Sequence, residues 1–431
     1  MNATLENVSR GALGMLFLIF ICWLLSNNRR AINWKLVLAG VVAQVMFALG
    51  VLKVNVIKIV FGWLSEQFVA IINIGHKGIE FIFGKLADPT GNWAYIFAVQ
   101  VLPNIIFFAA LSAMLYYLGV LQWIVYLFAW MLKKLGISGP ESVSTAANIF
   151  LGQTEAPLMI RPFLDKMTRS EMLLIMVGGM ANTAGSVLAA YVGFLGGNDP
   201  DQQKFFAVHM LSQSIMSAPA AIVVSKILFP QTQPFMTQLK VPREKLGDNF
   251  LDAISLGTTD GLKLAVNVGA MLIVFTALMY LCNWILGSVG YWFNLNDDVA
   301  RISGGRYDSL SLQMILGYIF SPVAWMIGVS SNEMVQVGQL LGEKTILNEF
   351  VAFISFGEMK NSGAIADNKS ILIATYSLCG FANFASIGIQ IGGISQLAPN
   401  QRKNLTELGV KALIGGTIAC LMCGCIAGAL G

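Results

Sequence analysis

The chain has 431 residues, of which 56% are hydrophobic and only 12% are charged, and its formal net charge is +4. Soluble domains are about a quarter charged, so this composition predicts a polytopic membrane protein. The small net charge gives no sign of a nucleic-acid partner. With two histidines and six scattered cysteines, the chain also lacks the residue pattern of a metal or haem enzyme.

A membrane-spanning helix needs about 20 mostly apolar residues. By that criterion we predict eight transmembrane helices, at residues 10–29, 35–53, 93–118, 172–198, 205–225, 264–296, 370–398 and 412–431. Residues 54–88 carry charges at helical spacing, which predicts an amphipathic helix on the membrane surface or against a partner subunit. Residues 121–131 are too short for another crossing and predict an interfacial helix.

The distribution of basic residues predicts the orientation. Arg29, Arg30 and Lys35 follow the first span, so that loop is cytoplasmic and the N-terminus lies outside. The loop that contains Asp199 and Asp201 then falls outside. This topology requires that residues 142–164 and 312–342 enter the membrane without crossing it.

Both of these segments have apolar arms around a small polar turn. The turns are Gly152-Gln153-Thr154 and Gly328-Val329-Ser330-Ser331-Asn332. Each arm of the first segment is about ten residues, or roughly 15 Å of helix, which is half a bilayer. We therefore predict two re-entrant helical hairpins, the first entering from the cytoplasm and the second from outside. Non-helical backbone at that depth must be buried in protein or line a cavity.

Each predicted hairpin is followed by a span with small polar residues. The two stretches are Ala181-Asn182-Thr183-Ala184-Gly185-Ser186 and Ala382-Asn383-Phe384-Ala385-Ser386. Three crossings separate them, so the two spans run in opposite directions. Inverted repeats with broken helices that meet near the midplane are typical of transporters.

Ionisable groups inside a membrane are candidate functional residues. Glu155 and Glu333 each follow a predicted hairpin turn, and Thr154 is a candidate cap for the second arm of the first hairpin. The Gln153 amide suits the edge of a nucleobase or another flat polar ligand. Asn148 and Asn182 could give oxygen ligands to sodium, and helix packing is the alternative explanation for them.

The chain resembles the concentrative nucleoside transporters, a family of cation-coupled nucleoside carriers. The resemblance implies a homotrimer held together by a scaffold domain, and a transport domain that carries both hairpins and moves as an elevator. It covers the first hairpin and the second half of the chain, in four motifs: Gly152-Gln153-Thr154-Glu155, Ser331-Asn332-Glu333 with Gln336-Val337-Gly338, Asn348-Glu349-Phe350-Val351-Ala352, and Phe381-Ala382-Asn383-Phe384-Ala385-Ser386-Ile387-Gly388.

The resemblance also implies roles for single residues. Those expected to contact the base are Gln153, Thr154, Glu155, Val187 and Leu262. Those expected to hold the ribose are Glu333, Asn383 and Ser386, with Phe381 packing nearby. The sodium site is expected at Asn148, Leu151 (by its carbonyl), Asn182 and Thr183 (by its carbonyl). Asn182 stands where the family usually has a hydroxyl residue, and some bacterial relatives use protons.

The sequence therefore predicts an all-α polytopic membrane protein of a bacterial inner membrane, with scaffold and transport domains. We expect scaffold at 1–118, the first transport repeat at 119–228, a linker and long scaffold helix at 229–306, and the second repeat at 307–431. The expected function is import of uridine-like nucleosides, with sodium as the coupling ion and no other cofactor. The alternatives are proton coupling, an ion channel, and an intramembrane enzyme, for which the sequence shows no nucleophile–base pair or metal cluster.

Overall fold

The computed structural model describes residues 2–87, 96–197, 199–238 and 247–431, and all regular secondary structure in these ranges is helical, which confirms the all-α prediction. The first half contains α1 (Asn2–Leu24), α2 (Trp34–Lys53), α3 (Asn55–Phe83), α4 (Phe97–Gln100), α5 (Leu102–Tyr117), α6 (Val120–Lys133), α7 (Gly139–Ala147), a 3-10 helix (Ala156–Ile160), α8 (Arg161–Leu164), α9 (Arg169–Ala181), α10 (Gly185–Gly196) and α11 (Pro200–Leu228). The second half contains α12 (Phe250–Trp292), α13 (Asn296–Ser303), α14 (Leu312–Met326), α15 (Met334–Ile346), α16 (Glu349–Asn361), α17 (Asn368–Leu378), α18 (Phe384–Leu397) and α19 (Arg402–Leu430).

Eight helical segments of the described ranges are long and apolar enough to cross a membrane. Seven match predicted spans, although residues 93–95 and 198 of those spans lie outside the described residues. The predicted span at 370–398 is divided between α17 and α18. The eighth segment is Asn55–Ala87, which we interpreted as interfacial. In keeping with an amphipathic helix, α3 buries a single stripe of residues: Ser65, Val69, Ile72, Gly75 and Ile79.

Two sets of helices follow the same order along the chain. Each set has a short apolar helix (α6 or α14), a two-armed hairpin, a broken helix (α9 and α10, or α17 and α18) and a long helix (α11 or α19). The long helices bond the same two backbone carbonyls, one beside each break. Gln213 Nε2 donates to the carbonyls of Ala181 and Cys379 at 3.0 and 2.9 Å. Cys420 Sγ donates to the same two carbonyls at 3.5 and 3.1 Å, as expected for repeats related by a pseudo-two-fold axis.

The two broken helices start at opposite ends of the bundle. Lys369, at the start of α17, donates to Asn7 near the start of α1 at 2.7 Å. Arg169, at the start of α9, pairs with Glu407 near the start of α19 at 2.6 Å. The start of α19 in turn lies at the end of α1, because Lys411 donates to the Asn27 side chain. The repeats are therefore inverted, as predicted.

The second hairpin lies one helix later than the sequence analysis placed it. The helices α14 and α15 do pack side by side, but the turn between them lies against the start of α1, where Arg10 donates to the Val329 carbonyl at 2.9 Å. The counterpart of the first hairpin is formed by α15 and α16, with its turn at Leu347 and Asn348. The predicted hairpin at 312–342 is therefore corrected to α15–α16, and α14 corresponds to α6.

The α5 and α12 helices lie outside the repeats and pack along each other. A Cβ atom on Gly257 of α12 would come within 2.5 Å of the Ala113 Cβ, and one on Gly261 within 2.7 Å of the Ala109 Cβ. Small residues four apart let two helix backbones approach closely in a membrane. These glycines therefore fix the contact between α5 and α12.

Candidate functional site

The two hairpin turns and the two helix breaks meet inside the bundle. We call this region the central site and define it by residues 148–155, 182–187, 347–349 and 379–390. Hydrogen bonds join its parts. Gln153 of the first turn donates to Ser386 at 3.2 Å, and Asn383 donates to Glu349 beside the second turn at 2.5 Å. The Phe381 N–H donates to the Asn182 carbonyl at 3.3 Å, which links the two breaks directly.

Gln153 has a partner at each end of its amide. Its Nε2 donates to Ser386 Oγ, and its Oε1 accepts a hydrogen bond from Gln390 Nε2 at 3.1 Å. Gln390, which the sequence analysis did not single out, is fully buried and also donates to the Met176 carbonyl at 3.1 Å. The donor and the acceptor of one side-chain amide are thus held at the centre of the bundle by the second repeat. Such an amide can exchange these partners for a donor and an acceptor on the edge of a flat ligand.

The next two residues of the first turn, Thr154 and Glu155, are exposed. The Glu155 carboxylate, rather than a Thr154 cap, closes the turn by accepting a hydrogen bond from the Gly152 N–H at 3.0 Å. The Thr154 methyl group lies against α18, where a Cβ on Gly393 would come within 2.8 Å of it. The first turn therefore packs against the second repeat through Thr154 as well as through Gln153.

A cleft of about 140 Å³ separates the first turn from α5 and α12. Glu155 and Ser186 line it from the repeat side, and Asp260 lines it from α12. Of the other residues expected to contact a base, Val187 is buried at 1% exposure, whereas Leu262 is 51% exposed and is not part of this lining. The cleft therefore places the Glu155 carboxylate of the first repeat opposite the Asp260 carboxylate of α12.

The second turn carries a carboxylate to which we had given no role. Glu349 is the first residue of α16, is 4% exposed, and accepts the Asn383 Nδ2 hydrogen bond at 2.5 Å. Asn383 also caps α18 by accepting the Ser386 N–H at 2.9 Å. Hydrogen bonds to an ionised acceptor are the strong ones. The signal that could have located the turn is Asn348, a typical N-cap residue, directly before this acid.

Glu333 is held elsewhere. Its Oε1 accepts hydrogen bonds from the Ala366 and Asp367 N–H groups at 2.8 and 3.0 Å, just before α17 begins. Glu333 was expected to hold the ribose together with Asn383 and Ser386. In the structure it does not contact either of them. Phe381, expected near the ribose, lies partly buried in the break between α17 and α18.

The residues expected to hold sodium include two buried amides. Asn148 and Asn182 are 1% and 2% exposed, and neither side chain has a hydrogen-bond partner among the residues that the structure describes. Leu151, in the first turn, and Thr183, in the first break, are also buried, and each lies close in sequence to one of these amides. Unpaired polar atoms in a protein interior are costly. Uncharged oxygen donors of this kind fit a hard cation such as sodium, so the residues present agree with a cation site.

Three family models match this chain. They are described as Na+ dependent nucleoside transporter N-terminus, matching residues 13–86, nucleoside recognition Gate, matching 98–198, and Na+ dependent nucleoside transporter C-terminus, matching 209–428. Together the three matches cover most of both repeats and the helices α5 and α12.

Curated relatives extend over almost the whole chain. An uncharacterized transporter of Haemophilus influenzae is 43% identical over 98% of this chain and 97% of its own length. Solute carrier family 28 member 3 of Mus musculus is 37% identical over 97% of this chain, and the chain spans only 58% of that protein's length. The sodium/nucleoside cotransporter 1 of Rattus norvegicus is 37% identical over 94% of this chain and 61% of its own length.

Solved structures agree with the fold. The structure of CNTnw in an inward-facing substrate-bound state has a TM-score of 0.89 and 39% identity, and the match covers 98% of both chains. A structure of a CNTnw variant in an outward-facing state has a TM-score of 0.90, 37% identity and 99% coverage of both chains.

Proposed function

This chain belongs to the Na+-dependent nucleoside transporters, a family of membrane transporters, and from that premise we propose that it imports uridine-like nucleosides by symport with sodium. The observation that carries the proposal is the central site itself. It offers one amide with a donor and an acceptor at Gln153, and a carboxylate–amide pair at Glu349 and Asn383. A nucleoside has matching chemistry, with a flat polar edge on its base and vicinal hydroxyl groups on its ribose.

We assign the base to the first turn. Gln153 would exchange its bonds with Ser386 and Gln390 for the donor and acceptor edge of a uracil-like ring. Thr154 and Glu155 would contact the same ring, with Val187 packing behind it. Since Leu262 is exposed outside the cleft lining, a contact from it would require α12 to approach the repeats during transport.

We assign the ribose to Glu349, Asn383 and Ser386, with Phe381 packing nearby. Glu349 replaces Glu333 in this assignment because its carboxylate is bonded to Asn383, whereas Glu333 is bonded to the backbone before α17. A carboxylate accepts hydrogen bonds from hydroxyl groups more strongly than a neutral acceptor does. A ribose hydroxyl could therefore replace the Asn383 amide as a hydrogen-bond donor to the Glu349 carboxylate without a loss of bonding free energy.

Sodium would be co-transported at Asn148, Asn182 and the carbonyls of Leu151 and Thr183. The cation and the substrate would share the first turn, because the turn begins at Asn148 and continues through Leu151 to Gln153. A bound cation would satisfy the buried amide oxygens and order this turn. Nucleoside binding to an ordered turn costs less conformational entropy, which gives positive coupling between ion and substrate.

The helices outside the repeats suit a scaffold. We propose a scaffold at 1–118, a first transport repeat at 119–228, a linker with a long scaffold helix at 229–306, and a second transport repeat at 307–431. The re-entrant hairpins would lie at 142–164 and at α15–α16. The repeats would move as an elevator along α5 and α12. The scaffold would hold a homotrimer in a bacterial inner membrane, with the N-terminus outside and α3 on the outer surface. Support comes from the cleft between these helices and the first turn.

Uptake of radiolabelled uridine into proteoliposomes tests the substrate class. We expect saturable uptake that other nucleosides inhibit and that free uracil or free ribose inhibits much less, because each fragment reaches only one of the two turns. Non-saturating flux accompanied by single-channel currents would indicate a channel instead and would contradict the proposal.

A further inference from the structure

Lys344 is a lysine in the interior that the proposed transport cycle does not use. It is 1% exposed, and its Nζ donates to the Ser377 carbonyl at 2.8 Å. Ser377 lies in the last turn of α17, directly before the break that starts at Cys379. The last carbonyls of a helix have no partner within the helix and form the negative end of its dipole. Lys344 therefore places a positive charge at the end of a broken helix.

The same position in the first repeat lies about one helical turn before Asn148 of the candidate sodium site. The first hairpin arm ends at the C-cap Asn148, and the corresponding arm of the second hairpin ends at the C-cap Leu347. Three residues before these caps stand Thr145 and Lys344. Thr145 is 1% exposed, and its hydroxyl has no hydrogen-bond partner within the described ranges. The first repeat thus presents uncharged oxygens where the second presents an ammonium group.

The ammonium group also acts on the proposed ribose site. Lys344 stands five residues before Glu349, so the ammonium group and the carboxylate belong to the two arms on either side of the turn at Leu347 and Asn348. Glu349 also accepts the Asn383 hydrogen bond. Lys344 therefore connects a hairpin arm, the end of a broken helix and a substrate-binding turn. In the first repeat, a cation at Asn148 and Asn182 would connect the same three kinds of element.

We propose that Lys344 is a built-in cation, whose ammonium group takes in the second repeat the place that sodium takes in the first. The second repeat then needs no ion, and the transporter carries one sodium ion per nucleoside. Lys344 acts as a positioning residue for Glu349. The inference rests on the proposed sodium symport.

The ratio of radioactive sodium to radiolabelled uridine taken up by the wild-type protein tests the inference without any variant. We expect one sodium ion per uridine. Two sodium ions per uridine would overturn the inference while leaving sodium symport intact. Uridine uptake with no sodium dependence would instead contradict the proposed function.

Variants test the positioning role. Lys344→Gln should raise the KM for uridine by roughly fivefold, because Glu349 is then no longer held in position by a neighbouring positive charge and bonds the ribose less well. It should also make the dependence of uptake on sodium steeper, as a second cation becomes able to bind. Lys344→Arg keeps the charge and should keep the sodium-to-uridine ratio of the wild type.

Lys360→Gln is the matched control. Lys360 also donates to a carbonyl in the last turn of a helix, that of Leu195 in α10, at 2.8 Å, but it lies away from the central site. We expect an unchanged KM and an unchanged ratio for this variant. A Lys344→Gln protein with wild-type KM and wild-type sodium dependence would overturn the inference. If that variant does not fold, the wild-type ratio and Lys344→Arg still decide the question.

Discussion

Glu349→Gln removes the charge of the carboxylate that accepts the Asn383 amide at 2.5 Å. If this carboxylate also accepts a ribose hydroxyl, the change converts a charge-assisted hydrogen bond into a neutral one. A hydrogen bond to a charged group contributes about 1.5–3 kcal/mol and a neutral one about 0.5–1.5 kcal/mol, so the conversion costs about 1–1.5 kcal/mol. At about 1.4 kcal/mol per tenfold change in affinity, that cost corresponds to roughly a 5- to 12-fold increase in KM for uridine.

Glu333→Gln is the matched comparison. The Gln carbonyl oxygen can still accept the N–H groups of Ala366 and Asp367, which Glu333 bonds at 2.8 and 3.0 Å. Since neither partner belongs to the central site, we expect KM to change by less than about twofold, in line with a neutral replacement of one acceptor by another.

Uridine uptake into proteoliposomes, compared with uptake of 2′-deoxyuridine and 3′-deoxyuridine, measures both variants. If Glu349 bonds a ribose hydroxyl, the wild type should lose affinity for one deoxynucleoside and Glu349→Gln should lose little further, since the two changes remove the same interaction. A wild-type KM for Glu349→Gln together with lost uptake for Glu333→Gln would refute the assignment of the ribose to the second turn.

Three further predictions address other parts of the structure. Asn148→Ala should raise the sodium concentration for half-maximal uptake by about tenfold through the loss of one oxygen ligand, measured by uptake against sodium; an unchanged sodium dependence would place the ion elsewhere. Gly393→Val should reduce uptake because its side chain meets Thr154 at 2.8 Å or less, with folding checked by size-exclusion chromatography; full uptake would show that this contact is dispensable. Lys226→Met leaves the buried Glu141 carboxylate without its cation and should lower the free energy of unfolding by about 3–5 kcal/mol. Thermal unfolding in detergent measures this loss, and adding Glu141→Gln to the same protein should restore much of it.

The architecture was largely predictable because membrane helices are specified by long apolar segments. Seven of the spans and the first hairpin follow from apolar length and from one polar turn with a glycine and a proline. The predicted span at 370–398 was counted as one crossing, and a broken helix there was suggested only by its small polar residues. Apolar length gave no sign of the break, since α17 and α18 are both apolar and only the short segment between them, which ends at Asn383, leaves the helical path.

The second hairpin was misplaced for a similar reason. Its true turn is short and carries no glycine, whereas the preceding connection contains Gly328 with a positive φ of 109° and a cluster of polar residues ending in Glu333. Glycine and polar residues mark turns, but they do not tell which turn lies in the interior. The packing of Asn383 against Glu349, and of the other turn against Arg10, separates the two.

The site residues were predicted unevenly. Gln153, Asn383 and Ser386 are brought together, while Glu333 and Leu262 are not part of the contacts expected of them. Gln390 and Lys344 lie on regular helices, one or two turns away from a turn or break. Side chains in such positions give no local sequence signal, because their role depends on which helices meet in the bundle.

Accumulation of radiolabelled uridine in proteoliposomes, under an inward sodium gradient and separately under an inward proton gradient, tests the central claim most directly. Sodium-coupled symport predicts accumulation above the external concentration with the sodium gradient alone, and its collapse when a sodium ionophore dissipates the gradient. Accumulation driven by the proton gradient and indifferent to sodium would contradict the account.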